Sequence, residues 1–129
     1  MKKTIHVVGA VIRNDKNEIL CALRSPAMSM PGYWEFPGGK IEDGEQPRDS
    51  LIREIREELG CTVKVGEQVE EVYHDYPFAI IHLVTYEAKI LEGIPKAKEH
   101  ARIEWLPVGR LRTLEWAPAD IPTIDKLLS

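Results

Sequence analysis

Residues 39–61 read GKIEDGEQPRDSLIREIREELGC, and the hydrophobic spacing in this stretch indicates how the chain folds around it. Pro47 suits the first turn of a helix, and Gly60 suits the position just beyond a helix C-terminus. On a helix over residues 47–59, at about 100° per residue, four aliphatic side chains share one side. They are Leu51, Ile52, Ile55 and Leu59. The pattern predicts a helix that buries this stripe against a hydrophobic core.

A second face of the predicted helix carries Glu54, Glu57 and Glu58, at positions i, i+3 and i+4. Like charges at these separations destabilise a helix, and the last two also lie where the helix dipole disfavours anions. The acidic residues thus violate two rules of helix stability at one place, which indicates a functional site there. A divalent cation would offset the repulsion. Oxygen ligands without His or Cys beside them favour Mg²⁺, with Mn²⁺ as an alternative.

An acidic helix face can also be merely solvated, with Arg53 and Arg56 supplying partial ion pairs. The preceding loop favours the functional interpretation. Residues 36–45 contain glycines at positions 38, 39 and 44. Glycine pairs permit positive φ angles and close backbone approach, as a loop around phosphates or a metal requires.

Residues 39–61 resemble the Nudix box, G-x5-E-x7-R-E-U-x-E-E-x-G-U, in which U is a bulky aliphatic residue. The matching positions are Gly39, Glu45, Arg53, Glu54, Ile55, Glu57, Glu58 and Gly60. Cys61 departs from the pattern, but a buried cysteine behaves as a small hydrophobe. The likeness extends along nearly the whole chain. Residues 34–40 and 117–122 are similar to the loop and the base-pocket segment of MutT-type nucleoside triphosphate pyrophosphohydrolases, the latter more closely to the CTP pyrophosphohydrolase members.

The resemblance implies an α/β fold of one domain over residues 1–129, an α/β/α sandwich with a mixed β-sheet between helices. The box would form a loop–helix–loop motif. The implied reaction is hydrolysis of a nucleoside triphosphate to the monophosphate and pyrophosphate, with Mg²⁺ or Mn²⁺. Cations offset the charge of the polyphosphate and lower the pKa of bound water.

The family pattern also implies roles for individual residues. The implied metal ligands are the Gly39 carbonyl and the carboxylates of Glu54, Glu57, Glu58 and Glu99. Glu99 falls where such enzymes place a further loop glutamate, although an ordinary exposed residue is an equal interpretation. Glu54 and Glu99 are both candidates for the general base. Arg53 is also expected among the catalytic residues. Its expected role is to pair with Glu45 or another box carboxylate and so hold the loop against the helix.

Five residues are expected to bind the nucleotide: Arg24, Phe36, Lys40, Tyr76 and Asp120. Arg24 and Lys40 are the candidates for the phosphates, and each is alternatively a solvated cation. Phe36 and Tyr76 align with residues that line the nucleotide pocket in MutT-type enzymes, and core packing is the competing explanation for both.

Asp120 bears on the choice of base. The pattern selective for 8-oxoguanine has Asn at this position, which donates and accepts, whereas an ionised Asp only accepts. An ionised Asp120 would suit the exocyclic amine of cytosine or the N–H groups of guanine. A protonated Asp120 in a dry pocket would donate again and restore a preference for an oxidised purine. We expect activity on nucleotides such as 8-oxo-dGTP, with CTP, dCTP and 5-substituted cytidine triphosphates as the alternative.

Other functions are less well supported by the sequence. ADP-ribose and dinucleoside polyphosphate hydrolases share the box. A catalytically inactive domain that senses a nucleotide is disfavoured because every box glutamate is present.

Composition limits the partners. Seventeen Lys+Arg against 21 Asp+Glu give a net charge of −4, which disfavours binding to a nucleic acid polymer or an anionic membrane. Two cysteines are too few for a disulfide framework, so we expect a cytoplasmic enzyme. We expect no obligate protein partner, and a monomer or homodimer.

Hydrophobic patterns outside the box predict six strands and one more helix. The strands are expected at residues 4–12, 18–23, 61–65, 69–73, 79–88 and 103–106, with a loop over 25–34 and a helix over 121–128. The four histidines share no ligand spacing and are interpreted as structural.

Overall fold

The computed structural model describes residues 2–129, which form a mixed β-sheet with helices packed on it. The strands are β1 (Thr4–Arg13), β2 (Glu18–Leu23), β3 (Trp34–Glu35), β4 (Gly38–Lys40), β5 (Thr62–Asp75), β6 (Ile80–Glu92) and β7 (Arg102–Pro107). The α-helices are α1 (Pro47–Leu59) and α2 (Ile121–Leu128), and short 3₁₀ turns cover Val108–Thr113 and Pro118–Asp120. This architecture confirms the predicted α/β class.

The sheet is built around β1, which runs parallel to β6 along its whole length. The remaining pairings are antiparallel: β1 with β2 and β4, β2 with β3 and β7, and β5 with β6. β1 and β2 pair beside their turn, at Arg13 and Ile19. Farther from the turn, β4 pairs with β1 and β3 pairs with β2. The segment 34–40 therefore lies between two diverging strands in the middle of the sheet.

Successive residues of β1 face opposite sides of the sheet, as a period of two requires. Val8, Ala10 and Ile12 belong to the core beneath α1, whereas Val11 belongs to the core that includes Ile124 of α2. The two α-helices thus cover opposite faces, which confirms the layered arrangement.

Two features of the sheet differ from the sequence-based expectation. Residues 61–65 and 69–73 are predicted as separate strands, but all of them except Cys61 lie in one continuous strand, β5, with register shifts near Gln68. The bulged residues interrupt the alternation of apolar and polar side chains, so the pattern reads as two strands. The second difference is the presence of β3 and β4, which are not predicted. They have two and three residues, too few to show the alternation of apolar and polar side chains that identifies a strand in a sequence.

Candidate active site

The position of α1 follows from its ends and its buried stripe. Pro47 occupies its first turn. Gly60 adopts the left-handed conformation (φ 72°) and donates its N–H to the Arg56 carbonyl, which ends the helix as predicted. Leu51, Ile55 and Leu59 are fully buried. The rotation of the helix is thereby set, and its acidic face is turned toward β4 and the segment that precedes it.

Glu58 is the most buried carboxylate of the box, with 7% of its surface exposed. Its Oε1 accepts a hydrogen bond from the Gly38 N–H at 3.3 Å. Burial, followed by the charges of Glu35, Glu54 and Glu99, raises the pKa of Glu58 to about 9. The protein therefore holds an acidic group in a place that favours its neutral form unless a cation is bound nearby.

Glu54 lies beside Gly39. A Cβ at position 39 would collide with the Glu54 carboxyl group, so the glycine allows the carboxylate to lie against the backbone of β4. Burial raises the pKa of Glu54, and Glu57 and Glu99 raise it further while Arg53 opposes them. The charges of two other predicted site residues, Glu57 and Glu99, thus act on the Glu54 carboxyl group.

Arg53 connects the helix to the preceding loop. Its Nε and Nη2 donate to Glu45 at 2.7 and 2.9 Å, and Nη2 also donates to the Lys40 carbonyl at 3.1 Å. Nη1 lies 3.0 Å from Glu57 and 3.3 Å from Glu54. The hydrogen bond from Arg53 lowers the pKa of Glu45 to about 2. The expected pairing of Arg53 with Glu45 is confirmed.

The donor set suits a hard divalent cation. The pKa values of Glu54 and Glu58 are raised by burial and by neighbouring carboxylates, so positive charge beside them is favourable. The glycine at position 39 leaves room for the Glu54 carboxyl group against the backbone of β4. Within residues 2–129, no three His, Cys, Asp or Glu side chains converge closely enough to enclose an ion. Glu57 is turned toward Arg53 and is half exposed. The acidic residues are gathered, but they do not form a closed cage.

A cavity of about 130 Å³ opens beside this cluster, between β1, β6 and the segments 34–39 and 117–120. Its walls include four of the five residues predicted to bind the nucleotide, Arg24, Phe36, Tyr76 and Asp120, together with Gly38 and Gly39. Phe36 also packs on Trp116, with ring centroids 4.9 Å apart, so pocket and core interpretations both apply to it. The exposed Lys40 is not among the lining residues.

Asp120 lines the cavity, with 6% of its surface exposed. Its Oδ1 accepts the Phe36 backbone N–H at 3.1 Å. Burial, and then the charge of Glu35, raises the pKa of Asp120 well above its usual range. Nearby, the Tyr76 hydroxyl accepts the Ala119 backbone N–H at 2.9 Å, which fixes the segment on which Asp120 lies.

Arg24 is held by the protein itself. Its Nη1 lies 2.5 Å from Glu35 Oε1, and its Nε and Nη2 donate to the carbonyl and hydroxyl oxygens of Ser29 at 2.5 and 3.0 Å. A role in phosphate binding remains a prediction for Arg24, as it does for Lys40.

Glu35 is a site residue that sequence reasoning misses. It lines the cavity and accepts hydrogen bonds from Arg24 and His100. Its charge raises the pKa of both Glu58 and Asp120. The one feature of the sequence that could have indicated it is its position next to Phe36, in the segment that leads to Gly38 and Gly39.

A larger groove of about 520 Å³ lies at the other end of β1, lined by Arg13, Lys64, Glu87, Lys89 and their neighbours. It contains none of the residues predicted to function, and Arg13 and Glu87 are already paired with each other at 2.8 Å. The cavity beside the glutamates is therefore the candidate active site, despite its smaller volume.

Comparison with known proteins agrees with the geometry. The family model described as "NUDIX domain" matches residues 3–127. The chain is a Nudix hydrolase. It is 38% identical to the CTP pyrophosphohydrolase of Escherichia coli K12 over 98% of this chain and 93% of that protein. It is likewise 38% identical to the 8-oxo-dGTP diphosphatase of the same organism, over 98% of both chains.

Solved structures of Nudix hydrolases share the fold. The solution structure of a MutT protein of the Nudix hydrolase family from methicillin-resistant Staphylococcus aureus 252 has 52% identity and a TM-score of 0.80, over 99% of this chain and 98% of that one. The E. coli ORF135 protein has 37% identity and a TM-score of 0.84, over 98% and 90%. The family and the names of these relatives support pyrophosphohydrolase activity on nucleotides. Within the part of the chain that the structure describes, no helix has the length and hydrophobicity to cross a bilayer.

Proposed function

We propose that this Nudix hydrolase converts nucleoside triphosphates to monophosphates and pyrophosphate, acts chiefly on oxidised purine nucleotides such as 8-oxo-dGTP, and thereby keeps them out of DNA. The relatives named 8-oxo-dGTP diphosphatase and CTP pyrophosphohydrolase are equally similar to it. The preference must therefore be argued from the cavity.

The observation that carries the proposal is the environment of Asp120. Burial and the charge of Glu35 favour its neutral form, and Oδ1 is occupied by the Phe36 N–H. A neutral carboxyl group has an O–H donor as well as acceptor capacity, which is what an Asn would offer. Such a group can pair with a base edge that presents a donor next to an acceptor, as 8-oxoguanine does.

The acidic cluster supplies the chemistry. The Gly39 carbonyl and the carboxylates of Glu54, Glu57, Glu58 and Glu99 would hold Mg²⁺ or Mn²⁺. A bound divalent ion offsets phosphate charge and lowers the pKa of water. Glu54 or Glu99 takes the proton from the attacking water, because both carboxylates belong to the cluster and a general base must lie within hydrogen-bond reach.

The remaining residues orient the substrate and the cluster. Arg53 holds the end of β4 and the loop that follows it against α1. Phe36 and Tyr76 line the side of the cavity next to Asp120 and would contact the base. Lys40, exposed at the end of β4, and Arg24, in the cavity wall, are the proposed phosphate contacts. Both cysteines are buried free thiols, which suits the reducing cytosol.

The second candidate function is hydrolysis of CTP, dCTP or 5-substituted cytidine triphosphates. The observations that favour it are the likeness of residues 117–122 to the CTP pyrophosphohydrolase members and the presence of Asp rather than Asn at position 120. In this alternative Asp120 is ionised when substrate is bound and accepts from the cytosine N4 amine.

A pyrophosphate-release screen with Mg²⁺ tests both candidates. The substrates are 8-oxo-dGTP, dGTP, CTP, dCTP, 5-methyl-dCTP and ADP-ribose, and the Glu57→Gln variant is the inactive control. A higher kcat/KM for 8-oxo-dGTP than for dGTP and dCTP supports the proposal. Preference for cytidine nucleotides supports the alternative, and turnover of ADP-ribose alone contradicts both.

A further inference from the structure

His100 is a buried side chain to which the proposed mechanism gives no role. Its imidazole has no exposed surface, and its Nε2 lies 2.8 Å from Glu35 Oε2. Because a carboxylate accepts hydrogen bonds, Nε2 carries the proton and donates. Nδ1 is buried without a hydrogen-bond partner among the described residues. A buried nitrogen without a hydrogen-bond partner destabilises the fold, so packing alone does not explain a histidine at this position.

The loop that ends at His100 is attached to the catalytic helix. The backbone N–H groups of Lys96 and Lys98 donate to the carbonyls of Leu59 and Glu58, at 2.9 and 3.3 Å. These carbonyls belong to the last turn of α1 and have no partner within the helix. The first half of the loop is thus fixed to the turn that carries Glu58.

The second half of the loop is attached to the sheet. The Ala101 N–H donates to the Leu23 carbonyl of β2 at 2.9 Å, and His100 donates to Glu35 of β3. Glu35 is itself held by Arg24 at 2.5 Å. The His100 side chain therefore links the loop to an ion pair that is largely shielded from solvent, since Arg24 and Glu35 expose 20% and 16% of their side chains.

Glu99 lies between these two attachments. Its side chain is exposed, and it directly follows Lys98, whose N–H donates to the Glu58 carbonyl at 3.3 Å, so its backbone lies against the turn that carries Glu58. Its charge also raises the pKa of both Glu54 and Glu58. An exposed glutamate on a loop has several rotamers and no packing to select one. Its position relative to α1 must therefore come from the backbone on either side of it.

We propose that His100 is a positioning residue: its hydrogen bond to Glu35 holds the 96–101 loop so that Glu99 stays beside Glu54 and Glu58. The inference rests on the proposed function, because it is through turnover that the position of Glu99 matters. A displacement of about 1 Å in a reacting group can lower the rate on the order of 100-fold. His100 acts through Glu99 and does not touch the substrate.

Two substitutions distinguish the effect of the hydrogen bond from the effect of the side chain's packing. In His100→Gln, the amide nitrogen stands the same number of bonds from Cα as Nε2 and can donate to Glu35. In His100→Asn it is one bond short. We expect kcat within about threefold of the parent for the Gln variant and a loss of about 10- to 100-fold for the Asn variant, with KM little changed. His6→Asn, at an exposed histidine of β1, is the control and should leave kcat unchanged. Equal losses in the Gln and Asn variants overturn the proposal.

A double-mutant cycle tests the route through Glu99. In the Glu99→Gln background, His100→Asn should lower kcat by no more than about twofold, because the group that it positions is already gone. Additive losses mean that His100 acts independently of Glu99 and overturn the proposal. A Glu99→Gln variant with the parent kcat also overturns it.

Amide hydrogen exchange of the metal-free protein gives a readout that does not depend on activity. The N–H groups of Lys98 and Ala101 should exchange about tenfold or more faster in His100→Asn than in the parent, and at the parent rate in His100→Gln. Unchanged exchange in the Asn variant overturns the inference and leaves the proposed function standing. If the parent enzyme hydrolyses none of the triphosphates, the proposed function fails, and with it the role of Glu99.

Discussion

The Glu54 carboxyl group occupies the space that a side chain at Gly39 would need. This carboxyl group therefore approaches the backbone of β4 more closely than a Cβ at position 39 would permit. This approach brings the Gly39 backbone to the acidic face of the helix, which is the arrangement that a metal held by a carbonyl and carboxylates requires.

Gly39→Ala should therefore lower activity far more than stability. The added methyl group displaces the Glu54 carboxylate, which is half-buried and can move toward solvent at modest cost. We expect kcat/KM for the best triphosphate substrate to fall by about 100-fold or more. Pyrophosphate release and thermal unfolding should be measured together.

Gly109→Ala is the matched control, because a Cβ there meets no atom within 4 Å. It should leave both quantities near the parent values. Parent-like kcat/KM in Gly39→Ala would show that the close approach has no part in catalysis.

Glu58→Gln should stabilise the metal-free enzyme at alkaline pH while it abolishes turnover. The pKa of Glu58 is raised to about 9, above its unfolded value, so its favourable contribution is present below the unfolded pKa and is lost as pH rises through about 9. A neutral Gln does not titrate. At about pH 8 we expect the variant to gain on the order of 1–3 kcal/mol in the free energy of unfolding, a gain that vanishes at low pH.

Thermal unfolding with EDTA across the pH range measures this difference. Glu57→Gln provides the comparison, since its half-exposed side chain should affect activity with little effect on stability. A Glu58→Gln variant that is less stable than the parent at every pH would contradict the conclusion that the site favours the neutral form of Glu58.

The preference for an oxidised purine should depend on pH through Asp120. Its pKa is raised by burial and Glu35, so the O–H donor is present below this raised pKa and disappears above it. The ratio of kcat/KM for 8-oxo-dGTP to that for dCTP should therefore fall as pH rises, whereas Asp120→Asn should keep a constant ratio. Using a ratio cancels the titration of groups that serve both substrates. A ratio that falls equally in parent and variant removes Asp120 from the specificity argument.

Arg53→Lys should impair the site even though it keeps the charge. The guanidinium contacts Glu45, Glu57 and the Lys40 carbonyl at once, and a single ammonium cannot reproduce these directions. We expect kcat/KM to fall by about 10-fold or more, since the end of β4, next to Gly39, and the loop that follows it lose their attachment to α1. Arg56→Lys, at an exposed position of the same helix, should behave like the parent.

The helix and its immediate loop could be predicted because their determinants are local. The stripe of Leu51, Ile55 and Leu59, with Pro47 and Gly60 at the ends, predicts bounds that agree with those of α1. The pairing of Arg53 with Glu45 also follows from chain proximity, since the two residues are eight positions apart. The Nudix box lies in this same segment.

The surroundings of the site depend on the tertiary structure. His100 and Glu35 are 65 positions apart, and Asp120 meets the Phe36 backbone across 84 positions. These contacts exist because β1 and β2 diverge and admit the segment 34–40 between them, which no period in the sequence encodes. The sequence by itself determined the acidic helix, its ends and the glycine loop, because short-range spacing decides which side chains share a helix face. Only the tertiary structure decided which carboxyl groups are buried, and burial sets the protonation of Asp120 and Glu58, because the cost of desolvating a charge depends on everything packed around it.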